Sequence, residues 1–270
     1  VRILYYTLSL SLFFFQGCGK EQPQAPSLGV LTQLKTAFSK DTSNDALAES
    51  FEDEFTQDEA TQSTDDFSGY NRVMTTFNDF FFNAILDPAS EVYAKVTPQP
   101  VRVGVSNFVQ NIQFPVRFTN NLLQGKLQNS KDELESFLTN STIGLGGLMN
   151  PAQDILHIRI HDEDFGQTLG YYNITPGPHI VLPFLGPSNM RDLIGVTVDA
   201  YASPLVNTDG LEQYKIPDNL TQSIAIIAVQ LTNKNSLNPG IYQSLKKDAL
   251  DLYPFLKDAY EQKRAAEIAQ

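Results

Sequence analysis

The sequence has one cysteine, no tryptophan and three histidines in 270 residues, and it is short of positive charge. A single cysteine excludes an intrachain disulfide framework and any multi-cysteine metal cluster. Nineteen Lys and Arg against 31 Asp and Glu give a formal net charge of −12, which excludes a nucleic-acid grip built on displacing phosphate counterions. Beyond position 18 no apolar run approaches the roughly 20 residues of a membrane-crossing helix. Signatures of covalent chemistry are missing too. Gly104-Val-Ser106 and Gly186-Pro-Ser188 do not continue into a nucleophile elbow, and no lysine follows the glycines as a phosphate loop requires. His157 and His161 stand four apart beside Asp162, Glu163 and Asp164, but the intervening Ile-Arg-Ile reads as extended, which would hold them apart. No catalytic residue, metal or cofactor is expected. A carrier or channel suits this inventory better than an enzyme.

What is present is unevenly arranged. Between positions 41 and 66 there are ten acids and no Lys or Arg, and the remaining residues balance at 21 acids against 19 bases. This segment is rich in Ser, Thr and Gln, and it buries too little apolar surface to offset the entropy of ordering. It reads as a solvated polyanionic tether, with a docking tail as the alternative. Ahead of it, Arg2 precedes an uncharged apolar run of 13 residues from Ile3 to Phe15, then Gln16-Gly17-Cys18. That run is too short to cross a bilayer and suits the h-region of a signal peptide. Gly17-Cys18 resembles a bacterial lipobox, in which the cysteine carries the lipid and heads the mature chain. The chain thus divides into a signal peptide (1–17), a lipidated Cys18 with an acidic disordered tether (18–66) and a folded domain (67–270). Diacylation would make anchoring stable, because each buried methylene contributes about 0.8 kcal/mol.

The folded part reads as mainly α, its helices broken by proline and glycine. Tyr70, Val73, Met74, Phe77, Phe80, Phe81, Ala84 and Ile85 recur at helical spacing, with Ser68 as a cap and Asp87-Pro88 as a kink or stop. A second stripe runs from Val101 to Ile112, with Pro100 at its start and Pro115 beyond its end. Ser130 and Glu133 form a capping-box pattern ahead of Leu134, Phe137 and Leu138. Further stripes run from Leu220 to Leu231 and from Tyr242 to Tyr260, the latter with an interior Pro254. His157 to Ile160 and His179 to Leu182 are the best strand candidates. Ile143-Gly-Leu-Gly-Gly-Leu148, Pro176-Gly-Pro178 and Leu182-Pro-Phe-Leu-Gly-Pro187 mix breakers with bulky apolar residues. Such loops either pack in a core or face lipid, the latter through in-plane amphipathic helices.

Several of these segments resemble the MlaA (VacJ) family of phospholipid-transport lipoproteins. The resemblance begins at Gly69-Tyr-Asn-Arg72 and Phe77-Asn-Asp79. It continues through Pro98-Gln-Pro-Val-Arg102, Gly104-Val-Ser-Asn-Phe108 and Asn121-Leu-Leu-Gln-Gly-Lys126. It is densest from Phe137 to Gly147 and closes with Glu163-Asp-Phe-Gly-Gln-Thr-Leu-Gly170, Gly177-Pro178, Leu182-Pro183 and Gly186-Pro-Ser188 through Arg191-Asp192. Departures are Phe67, Tyr172, His179 and Asn150, where the family usually has Pro, Trp, Tyr and Asp, and a longer acidic spacer.

The resemblance implies an all-α, ring-like bundle of amphipathic helices lying in one membrane leaflet, joined by Gly/Pro-rich apolar connections. It implies a lipid-anchored protein on the periplasmic leaflet of a Gram-negative outer membrane. A central amphipathic channel would take mislocalised outer-leaflet phospholipid and pass it to a periplasmic carrier, keeping the membrane asymmetric. A trimeric porin is the expected partner. A polar lining and an apolar rim would handle the two desolvations of headgroup and tails. Phe77 and Asn78 are expected at the channel, although Asn78 equally suits a helix surface. Gly144, Gly146 and Gly147 either keep a passage open or let helices approach. Arg191 and Asp192 either pair or meet a headgroup phosphate. Two other functions stay open: an envelope adaptor organising porins, and a soluble periplasmic lipid carrier.

Overall fold

A computed structural model describes residues 67–247 and 249–270. The expected signal peptide, Cys18 and the acidic tether lie outside the described residues. The fold is mostly helical, with one small hairpin.

Helix α1 (Ser68–Phe81) passes through a π-helical turn (Phe82–Leu86) into α2 (Asp87–Val96). Ser68 is the first helical residue rather than the cap, which is Phe67. Asp87-Pro88 does not end the helix. Pro88 lacks an N–H and its ring crowds the carbonyl four residues back, so the hydrogen-bond ladder widens there. The Asp87 N–H accordingly donates to Phe82 O, five residues away. Helices α3 (Gln99–Ile112) and α4 (Phe114–Leu123) each carry proline in the first turn, at Pro100 and Pro115, where the missing N–H costs nothing.

Helix α5 (Leu127–Thr142) starts ahead of the expected capping box. Ser130 and Glu133 lie inside it and are buried. The Ser130 hydroxyl donates to Lys126 O and the Glu133 carboxylate is taken by Arg117, so neither is free to cap. A single turn, α6 (Pro151–Asp154), follows. The segment from His157 to Ile160 pairs with no strand, and His157 adopts left-handed backbone at φ 55°. Next come α7 (Phe165–Tyr171) and the antiparallel strands β1 (His179–Leu182) and β2 (Gly186–Asn189), which pair from His179↔Asn189 to Leu182↔Gly186.

The chain closes with α8 (Met190–Ala202), α9 (Leu220–Leu237), α10 (Ile241–Lys247) and α11 (Leu252–Ile268). The tail expected as one helix is therefore two, and Pro254 falls in the first turn of α11. Asp164, Asn189 and Asn219 cap α7, α8 and α9, each accepting the N–H of the residue three positions on. Helix α8 crosses α7 at Gly195 and Gly166, where a Cβ on Gly195 would overlap the Gly166 backbone.

These helices turn an unusual face inward. On α1 the buried positions are Asn71, Thr75 and Asn78, while Tyr70, Val73, Phe77 and Phe80 are exposed. On α5 the buried positions are Ser130, Glu133, Ser136 and Asn140, while Leu127, Leu134 and Leu138 are exposed. Among the described residues 30 buried side chains are polar or charged and 13 are hydrophobic. Helices of a water-soluble globule are patterned the other way. Among the described residues no helix is long and apolar enough to cross a membrane.

Candidate functional site

The polar stripes meet in a connected interior network. The Arg117 guanidinium donates to Glu133 at 2.7 Å and to Gln110 O at 2.8 Å. Glu133 also accepts the His161 N–H at 2.6 Å. Asn120 donates to Asp199 at 2.8 Å and accepts from the Thr168 hydroxyl at 2.9 Å. Gln124 and Lys126 both donate to Glu163, each at 2.7 Å. At the far side, Arg264 of α11 forks onto Asp164 at 2.8 and 2.9 Å and onto Asp192 with two bonds of 3.0 Å. Asp192 also receives Arg191 at 3.0 Å, Asn189 at 2.7 Å and the Tyr260 hydroxyl.

The carboxylates respond in opposite directions. Burial would raise Asp192, but the Arg264 charge and the bonds from Arg264, Arg191 and Tyr260 outweigh it and hold the carboxyl below its usual range. Asp199 is pushed up by burial and then by the neighbouring Asp164 carboxylate. Asp162 touches solvent, yet protein surrounds it, and that enclosure raises it to about 6 against the pull of Arg117. Among the described residues no three His, Cys, Asp or Glu side chains converge to hold a metal ion.

A second feature is apolar. A recess of about 330 Å³ lies between the α1–α2 turn, the hairpin tip and α9, lined by residues including Phe81, Leu86, Phe184, Ile227 and Leu231. Phe184 sits at the hairpin tip with φ 69°, an uncommon state for a bulky residue. Its ring meets Phe77 and Phe81 edge-on, with centroids 5.1 and 4.9 Å apart. Its N–H donates to Asn78 Oδ1 at 2.6 Å, while Asn78 Nδ2 donates to Leu182 O at 2.8 Å.

The expected site residues thus fall in three places. Phe77 and Asn78 stand at the hairpin tip; Phe77 is part-exposed and Asn78 is buried with both amide atoms bonded. Arg191 and Asp192 pair with each other inside the ionic network. Gly144, Gly146 and Gly147 form the turn after α5. A Cβ on Gly144 would meet Asn140 O and Met149 O, and one on Gly147 would meet the Asn111 side chain; only Gly146 faces open space. The glycines at 144 and 147 therefore permit close approach. Arg117, Glu133, Asp162, Asp199 and Arg264 escaped the sequence reading. For those on helices the signal was the polar stripe complementary to each apolar one, such as Ser130, Glu133, Ser136 and Asn140 on α5; Asp162 lies in the loop ahead of α7.

Fold and site together define a helical protein with a hydrogen-bonded polar interior and apolar stripes on its exterior, the pattern of amphipathic helices that lie against a membrane. Residues 63–267 match the family described as MlaA lipoprotein, and the chain belongs to that family. A Rickettsia felis protein described as uncharacterized is 28% identical over 205 residues, covering 76% of this chain and 78% of its own. The intermembrane phospholipid transport system lipoprotein MlaA of Haemophilus influenzae is 31% identical over 144 residues, spanning 53% of this chain and 58% of that protein. Its Escherichia coli (strain K12) counterpart is 33% identical over 144 residues, spanning 51% and 56%. A solved chain from work on the structural basis for maintenance of bacterial outer membrane lipid asymmetry superposes with a TM-score of 0.61 at 25% identity, covering 75% of this chain and 98% of that one.

Proposed function

We propose that this protein moves phospholipid between membranes and helps maintain the lipid asymmetry of the outer membrane. The observation that carries the reading is the reversed partition: on α1 and α5 the polar stripe is buried and the apolar stripe is exposed. An exterior of this kind is stable against acyl chains, and a polar interior gives a charged headgroup a path that hydrocarbon would deny it. The named relatives are intermembrane phospholipid transport lipoproteins, which supports the same reading.

In this proposal the helices lie in the periplasmic leaflet of the outer membrane as a ring around an amphipathic channel. Mislocalised outer-leaflet phospholipid enters the channel and leaves to a periplasmic carrier, beside a trimeric porin. No bond is made or broken, so no enzymatic step is needed. Of the expected channel residues, Phe77 contacts lipid, while Asn78, Gly144, Gly147, Arg191 and Asp192 hold the framework around the passage. Cys18 carries the anchor and the acidic segment spaces it from the domain.

The decisive experiment deletes the gene and measures phospholipid exposed on the cell surface. Exposure should rise and return to normal on complementation; an unchanged outer leaflet would sink the transport reading in favour of an adaptor. Cys18→Ala should release the mature protein from membrane fractions. Hydrolysis of phospholipid by the purified protein would overturn the non-enzymatic mechanism.

A further inference from the structure

The recess between α1–α2, the hairpin tip and α9 has a chemistry different from the interior network. Among the described residues on its wall, Thr232 alone carries a polar side chain. The hairpin backbone beside it is already satisfied: Leu182 O accepts from Asn78 and from the Leu185 N–H, and the Phe184 N–H donates to Asn78. Apart from the Thr232 hydroxyl the wall is apolar, so an occupant suited to that depth is hydrocarbon. None of the charged residues of the interior network lies on its wall.

The recess also opens onto the apolar exterior. Ile85 and Ile224 belong to its wall and are 52% and 36% exposed, and Phe80, next in sequence to the lining Phe81, is 62% exposed. Ala89 on α2 and Ala228 on α9 keep the wall low where these helices pack together. Larger side chains at either position would fill the space.

We propose that this recess is a binding site for one acyl chain of a membrane phospholipid, entered sideways from the apolar face. The proposal rests on the membrane-seated reading above and adds a site distinct from the polar interior. One tail lodged against Phe184 would leave the headgroup outside, at the membrane-facing mouth. The site would hold a lipid by a single chain without desolvating its charge.

The test uses the full-length protein in vesicles of phosphatidylethanolamine and phosphatidylglycerol. The probe is a phosphatidylethanolamine carrying a diazirine at the end of one acyl chain, with diazirine-labelled palmitate in a parallel sample. After irradiation, labelled positions are mapped by mass spectrometry. Labelling should concentrate on residues 85–89 and 224–232, above that on Val96, Ile155 and Ile194, which are as exposed as Ile85 or more so. Ala228→Phe and, from the opposite wall, Ala89→Phe should each lower recess labelling roughly tenfold, the equivalent of about two methylenes denied burial, and leave exterior labelling unchanged. Each variant's cooperative unfolding is checked, and if one fails to fold the other decides.

Uniform labelling of the apolar face, or enrichment that survives both substitutions, would overturn the acyl-chain site and leave the membrane seat standing. Labelling by palmitate but not by the phospholipid would assign the recess to free fatty acid and overturn the phospholipid occupant. Absence of labelling on every apolar face would overturn the membrane seat along with the site.

Discussion

Asn71 and Asn78 stand one above the other on α1 and bind the same edge of the hairpin. Asn71 donates to His179 O and accepts the Val181 N–H; Asn78 donates to Leu182 O and accepts the Phe184 N–H. Each primary amide thus bridges a carbonyl and the N–H two residues on, as a neighbouring strand would. The spacing allows it, since seven helical residues rise about 10.5 Å and three strand residues about 10 Å. A helix thereby satisfies a strand edge that would otherwise be open.

Asn78→Asp keeps the shape and removes the donor, leaving Leu182 O facing a carboxylate. The variant should lose about 1–3 kcal/mol in denaturant unfolding, whereas Asn107→Asp, whose amide donates an exposed hydrogen bond to Leu148 O, should lose less. Equal losses would show that the amide bridge to the hairpin contributes nothing special.

Among the described residues Arg264 alone joins several carboxylates through one guanidinium, reaching Asp164, Asp192 and Glu267. Arg264→Met leaves Asp164 and Asp192 buried without it and should cost roughly 3–5 kcal/mol. Arg264→Lys should recover only part, because an ammonium cannot reproduce the planar fork. Limited proteolysis should then cut first around α11. Wild-type resistance in Arg264→Met would refute this.

The glycine turn separates two costs. Gly146 has φ 72° with open space around it, so Gly146→Ala should cost only the left-handed penalty, about 1–2 kcal/mol. Gly147 has φ 94° and a Cβ there would press on Asn111, so Gly147→Ala should cost more. Thermal unfolding of the two variants side by side measures the difference, and the reverse order would contradict the packing described here.

Asp162 and Asp192 set opposite pH dependences. The folded-state value of Asp162 is raised to about 6, so the native state holds the proton that the unfolded chain releases from about pH 4 upward. Its contribution is therefore full in acid and is lost as pH climbs from about 4 to about 6. Asp192 is lowered, so its contribution is full above the ordinary carboxylate range and is lost on further acidification. Relative to wild type, Asp162→Asn should gain stability between pH 4 and 6 and stay level above. Denaturant titrations at pH 4, 6 and 7.5 check it; a difference independent of pH would rule the assignment out.

Much of the helical outline could be read directly. The stripes at Tyr70 to Ile85 and Leu220 to Leu231 are helices, Pro100 opens α3 and Pro115 lies beyond its end, and the candidate strand from His179 to Leu182 is β1. The errors share a cause: local pattern does not record tertiary partners. Ser130 and Glu133 fit a capping box, yet a buried Arg117 captures Glu133. Asp87-Pro88 reads as a kink or stop, and of the two the stop fails, because a π turn carries the helix through it. The site was less legible, because Arg264 meets Asp164 across 100 residues and Asn71 meets Tyr253 across 182. The family resemblance pointed to an apolar outer face, and many positions of the predicted stripes on α1 and α5 bear it, whereas Ile227 of the α9 stripe is buried.

The polar interior has a thermal consequence. Unfolding ordinarily raises heat capacity because it wets apolar surface, while wetting polar surface lowers it. In this protein much of the apolar surface is already outside when the chain is folded, and much of what unfolding uncovers is amide, hydroxyl and charge. Its stability curve is therefore flatter than that of a water-soluble domain of equal length, with gentler losses on both warming and cooling. A fold held mainly by directional bonds keeps its shape across temperature and yields chiefly when a bonding partner is removed.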